Sequence, residues 1–176
     1  MANVEFHDYS ATVKKQIRGV AIRWLLETAN ELVSQVKRTV STKGWTNAER
    51  TSLRDSYDYV ISEADGTAKV GSTLEQAYWE EFGTGSYADT SKNGGREGRS
   101  GWWIYTPDDN DAPEGYQSNE YATEEDAKEM AAYIQAAYGK KAVVSNGREP
   151  NYTLEKAFIK VKDKQIRRLE NELKGL

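Results

Sequence analysis

Tyr57-Asp58-Tyr59-Val60-Ile61-Ser62-Glu63-Ala64-Asp65-Gly66-Thr67-Ala68-Lys69-Val70-Gly71 is the stretch that decides the fold class. Tyr57, Tyr59 and Ile61 alternate with Asp58, Val60 and Ser62, the two-residue repeat of a strand. Asp65-Gly66 is a turn pair that accepts positive φ, and Ala68 to Gly71 returns as the partner strand. The change of period begins at about residue 52. Upstream of it the period is different. Val13, Ile17, Val20, Ala21, Trp24, Leu25, Thr28, Leu32, Val33, Val36 and Val40 recur at three- and four-residue steps, one stripe of a helix. Asp8 or Ser10 is placed to cap its start, and Gly44 lies just past its end. The stripe predicts that Ile17, Trp24 and Leu32 are buried within the subunit. A long helix followed by a hairpin points to an α+β fold, with a small, mostly antiparallel sheet packed on helices.

Downstream, Leu74 to Phe82 reads as a short helix or turn ended by Gly83-Thr84-Gly85. Residues 86–121 read as an insertion within a single domain spanning 1–176. It opens with a glycine-rich loop, Ser91 to Gly101, of mobile composition. Trp102-Trp103-Ile104-Tyr105 then reads as a strand, followed by Asp108, Asp109 and Asp111. Thr123-Glu124-Glu125-Asp126 is an acidic variant of a capping box. The helix it opens carries Ala127, Met130, Ala131, Ile134 and Ala137, and Gly139 stops it. Ala142 to Ser145 reads as a strand and Asn146-Gly147 as a turn. A last helix from about Thr153 carries Leu154, Phe158, Val161, Ile166, Leu169 and Leu173 as its apolar positions.

Composition removes several classes of chemistry. There is no cysteine, so a disulfide framework, a thiolate metal site and a cysteine nucleophile are excluded. The one histidine, His7, precedes the first helix and has no identifiable nucleophile partner. No apolar run approaches the roughly 20 residues of a membrane span. A net charge of -4 does not suit a dedicated nucleic-acid binder. Charge is nonetheless segregated, with nine acids against one base over 105–131 and ten bases against five acids over 140–176.

Three further patterns fail on spacing. Asp109, Asp111 and Glu120 stand in an EF-hand frame that puts Pro113 and Glu114 where an oxygen ligand and a glycine are needed. Glu80 and Glu81 are adjacent, and so diverge instead of flanking one glycosidic bond. The glycines at 94, 95, 98 and 101 lack the Gly-Lys-Ser/Thr ending of a phosphate loop. No catalytic residue, cofactor or metal is therefore expected. Trp102, Trp103 and Tyr105 remain, as interface anchors beside the acidic run or as a stacking platform for a glycan or single-stranded nucleic acid. Leu, Ile, Val and Phe together number only 30 of 176 residues, about 17%, while 11 Tyr and 5 Trp suit half-wet surfaces. That balance points to a component of an assembly.

Two stretches carry a resemblance. Ser52-Leu53-Arg54-Asp55-Ser56, the hairpin, and Ala77-Tyr78-Trp79-Glu80-Glu81-Phe82-Gly83-Thr84-Gly85 resemble the central signature of a family of tailed-phage neck proteins, often labelled tail-completion, head–tail joining or minor capsid proteins. The family pattern runs from a long helix through a Leu-Arg-x-Ser strand and a hairpin to Glu-Phe-Gly-Thr-Gly. A proline then precedes a last helix, a place filled here by Pro150 and Leu154-Glu155-Lys156-Ala157. The likeness covers roughly 8–85 and 145–173. Trp79 and Glu80 stand where a small residue and Val are usual. In the signature turn Tyr78, Glu81, Phe82, Gly83, Thr84 and Gly85, Phe82 is expected in the core and Glu81 on the turn amides. The glycines would supply backbone angles closed to other residues.

The resemblance implies a structural virion protein and no enzyme, made in the host bacterial cytoplasm and sited in the neck of a long-tailed phage. Six copies would form a ring around the genomic DNA, without reading its sequence and without a membrane. The ring would meet the head connector or stopper on one side and the tail terminator or tail tube on the other.

Overall fold

The long apolar stripe forms α1 (Ser10–Thr39), which at 1.5 Å per residue is about 45 Å long. The structure, a computed structural model, describes residues 8–91, 100–106 and 119–176. His7, residues 92–99 of the glycine-rich loop, and Asp108, Asp109 and Asp111 lie outside the described residues. Asp8 meets the first helical amide, its Oδ1 accepting from the Ser10 N–H at 2.8 Å. That bond holds the Asp8 carboxyl below the usual carboxylate range. Lys37 and Arg38 in the last turn face the negative end of the helix dipole.

The next element differs from the expectation. The period change expected from residue 52 sets in later, because residues 52–56 lie in a helix, α2 (Asn47–Ser56). A complete capping box opens it. The Thr46 hydroxyl accepts from the Glu49 amide at 3.2 Å, and the Glu49 carboxylate accepts from the Thr46 amide at 2.8 Å. Leu53 then falls on the inner face and is fully buried. The hairpin follows as read, β1 (Asp58–Ser62) against β2 (Thr67–Gly71), in register from Asp58↔Gly71 to Ser62↔Thr67. Ser62 closes its loop by donating to Asp65 Oδ2 at 2.6 Å, and Gly66 takes φ +63°.

Chain contacts divide the molecule into two compact units, residues 8–77 with 153–176, and residues 78–152. In the first, the hairpin and α5 (Thr153–Lys174) both pack on α1. The pairs Glu31–Lys164 (2.7 Å), Trp24 Nε1 to the Gln165 carbonyl (2.7 Å), Glu27–Arg168 and Arg23–Glu172 (3.8 Å) fix α5 antiparallel to α1. Buried Gln165 also accepts from Thr28 Oγ1 at 3.2 Å and donates to Glu31. The Lys164 bond is the main cause that holds the Glu31 carboxyl below its usual range. The core is Val36, Val40, Leu53, Tyr57, Ala77 and Ala157, with Leu32, Val33, Trp45 and Leu154 against it.

One burial expectation is corrected. Residues 10–19 are exposed throughout, and Ile17 is 45% exposed; only Trp24 and Leu32 of the named trio are partly covered. On α5 the inner line is Ala157, Val161 and Gln165, whereas Phe158, Ile166 and Leu173 face outward. The helix carries apolar side chains on two adjacent stripes, and among the described residues only one is covered. Leu53→Ala should therefore cost about 2–5 kcal/mol, while Ile17→Ala should cost close to nothing. Urea denaturation of both variants checks this, and equal losses would contradict the assignment.

The second unit contains the end of α3 (Glu75–Phe82), then β3 (Thr84–Gly85), β4 (Trp103–Tyr105), α4 (Glu124–Tyr138), β5 (Val143–Ser145) and β6 (Gly147–Arg148). Thr123 caps α4 by accepting from the Asp126 amide at 3.1 Å, and Gly139 ends it at φ +67°. Strand β4 pairs with β5 and β3 with β6, both antiparallel. The Asn146-Gly147 turn hands the chain from the β4–β5 ladder to the β3–β6 ladder. Ile104, Ala127 and Ile134 form the core here, covered by Trp102, Tyr121, Met130, Ala131, Ala142 and Val144. The class is α+β, its described strands forming three separate two-stranded ladders.

Candidate functional site

The expected signature turn is built in the second unit from the end of α3, β3 and the stretch 146–152. Its centre is Glu80, a residue outside the expected set. Glu80 is fully buried, its carboxylate accepting from Arg148 Nη2 at 2.7 Å and from Asn151 Nδ2 at 2.8 Å. The backbone repeats the link, with the Asn151 amide donating to the Glu80 carbonyl at 2.8 Å and the Tyr152 amide to the Glu81 carbonyl at 3.3 Å. Tyr152, at φ +49°, donates its hydroxyl to Asp89 Oδ2 at 2.9 Å. A carboxylate so enclosed cannot reach a substrate. It is a structural strut, which replaces the expected anchor: Phe82 is only half-buried, with its ring 4.9 Å from that of Tyr78.

Glycine is needed here for space as well as angle. Gly83 ends α3 at φ +75°, its amide donating to the Trp79 carbonyl at 2.9 Å. A Cβ on it would lie 2.6 Å from the Arg148 carbonyl oxygen and 2.9 Å from the Pro150 ring. Gly85 and Gly147 face each other across the β3–β6 ladder, and a Cβ on either would strike backbone of the other strand. Thr84 pairs with Arg148 in that ladder. The glycines at 83 and 85 and Pro150 therefore belong to one packed joint, closed by the Glu80–Arg148 pair.

The aromatic set is split by strand alternation. Trp102, which bridges Tyr121 through reciprocal amide bonds of 2.9 and 2.7 Å, packs with Ile104 against α4. Trp103 seats its indole over Gly85, with Cη2 2.5 Å from where a Cβ would stand. Only Tyr105 is exposed, at 43%. The three do not make one platform. Among the described residues no group of three or more His, Asp or Glu could hold a metal, and no helix is long and apolar enough to cross a membrane.

The signals missed in sequence were of two kinds. The Thr46-x-x-Glu49 box was readable; the Glu80 network was not, because its partners lie 68 and 71 positions away. An open groove lies along α1 in the first unit, lined by Lys15, Arg18, Gly19, Ile22, Arg23 and Leu26. Comparison of the chain with family models, curated proteins and solved structures finds no match to any of them.

Proposed function

We propose that this chain is a structural virion protein of a long-tailed bacteriophage, a subunit of a neck ring that joins the head connector to the tail. Its work is mechanical, and it is not an enzyme. The motif likeness at 81–85 supports the reading, and the observation that carries it is the start of α1, which the described residues leave exposed. Val13 and Ile17 continue the line of Val20, Trp24 and Thr28, the side on which Trp24 and Thr28 bond Gln165 of α5. Arg23 already meets Glu172, two residues before α5 ends at Lys174, so the line outruns its cover. Both residues are 45% exposed. An apolar line that outruns its cover among the described residues is a feature of subunits completed by neighbours. The rival, a stacking module for a glycan or single-stranded nucleic acid, needs adjacent exposed aromatics, and Trp102 is turned into its own core.

Native mass spectrometry and negative-stain microscopy of the purified chain test the proposal. Closed rings of one chain with a central channel are expected, together with no saturable binding across a panel of glycans and single-stranded DNA. A protein that stays monomeric at every concentration and binds a glycan saturably would overturn it.

A further inference from the structure

We infer that the α1 face formed by Lys15, Arg18, Gly19, Ile22 and Leu26 receives the outer face of α4 from a second copy of this chain. The inference rests on the assembly reading above and names the contact. These five positions fall at steps of three, one, three and four, on one side of the helix. They line an open groove of about 530 Å³ together with Arg23 and with Glu63 from the hairpin loop. Lys15, Arg18 and Gly19 are exposed, Leu26 is 45% exposed, and a Cβ on Gly19 would meet nothing within 4 Å. Residues 10–26 hold four bases, Lys14, Lys15, Arg18 and Arg23, and no acid. The face is thus basic at its N-terminal end and apolar at its C-terminal end.

The outer side of α4 has the complementary order. Ala127 and Ile134 face the core, which leaves Glu125, Glu129, Ala132 and Ala136 exposed along the opposite side, beside Tyr133 at 51% exposure. Here acids come first and small or aromatic residues follow. Over 119–138 there are five acids and one base. Glu125 to Ala136 and Lys15 to Leu26 each span eleven steps, about 16 Å of helix. Laid parallel, the two helices set Glu125 and Glu129 beside Lys15 and Arg18. Ala132, Tyr133 and Ala136 then meet Ile22 and Leu26. Antiparallel packing would put the acids on Ile22 and Leu26 and leave the bases unpaired, so charge selects one orientation. Gly19, Ala132 and Ala136 let the axes approach at the short end of the usual 8–10 Å spacing. The two surfaces differ, so each copy gives one and receives one, which propagates into a closed ring or an open filament.

The chain has no cysteine of its own, which makes the test direct. Equimolar Ile22→Cys and Ala132→Cys chains, mixed under mild oxidation, should give a two-chain species whose linked peptides contain positions 22 and 132. A link formed in such a mixture can only join separate copies. Because Ile22 is half-buried, a second pair of variants keeps the test independent of that position. Lys15→Glu with Arg18→Glu, or Glu125→Lys with Glu129→Lys, should each weaken self-association by about tenfold or more, and combining all four should restore it. Rings without the 22–132 link would overturn the inference and leave the neck reading standing. The link in open filaments would support the inference and count against a closed neck ring. Monomers without the link would overturn both.

Discussion

Glu80→Ala is expected to destabilise the protein by about 3–5 kcal/mol, the cost of removing one partner from a buried ion pair. The Glu80 side chain is fully enclosed and the Arg148 side chain is only 18% exposed, so water replaces the lost interaction poorly. The substitution also removes the acceptor that Glu80 Oε1 offers to Asn151 Nδ2. Glu80→Gln keeps the shape and an acceptor for Asn151 but loses the charge, and should fall between the two, at about 1–3 kcal/mol. Urea denaturation followed by tryptophan fluorescence reads both. A loss below about 1 kcal/mol for Glu80→Ala would mean that the joint between the end of α3 and the 146–152 stretch is held by something else.

The second large effect is at Gly147. Its φ is +129°, and a Cβ there would collide with the Thr84 carbonyl oxygen and stand 2.9 Å from Gly85 Cα. Gly147→Ala should cost about 2–4 kcal/mol, from backbone strain together with overpacking against a strand that has no room to withdraw. Gly66 is the internal control. It also has positive φ, at +63°, but its Cβ would meet nothing within 4 Å. Gly66→Ala should therefore show only the left-handed penalty of about 1–2 kcal/mol. Thermal melts of the two variants side by side decide the matter, and equal shifts would show that the close approach of β3 and β6 is not rigid.

What the sequence disclosed follows the range of the interactions involved. The ends of α4 were readable because period and caps are local: Thr123 and Gly139 do in the structure what their positions suggest. The hairpin was readable through alternation and Asp65-Gly66. Residues 52–56 are helical because the Thr46–Glu49 capping box, which opens seven residues before Leu53, outweighs the short strand motif. The outward turn of Phe158, Ile166 and Leu173 could not be read from α5 alone. Which of two apolar stripes is covered depends on the partner, and Gln165, a polar residue, lies at the covered one because Trp24, Thr28 and Glu31 bond it. At the signature turn the glycines and the ending of α3 at Gly83 were legible. The strut was not, since nothing near Glu80 in sequence announces Arg148 or Asn151. The Trp102–Tyr105 run announced a strand but not the way alternation divides it between the core and Gly85.

Immunogold labelling of long-tailed virions with an antibody to this chain tests the central claim most directly. The account predicts label at the junction of head and tail, with a neck density that accommodates a ring of this chain. Label at the distal tail or on the capsid faces, or virions that lack the chain altogether, would contradict it.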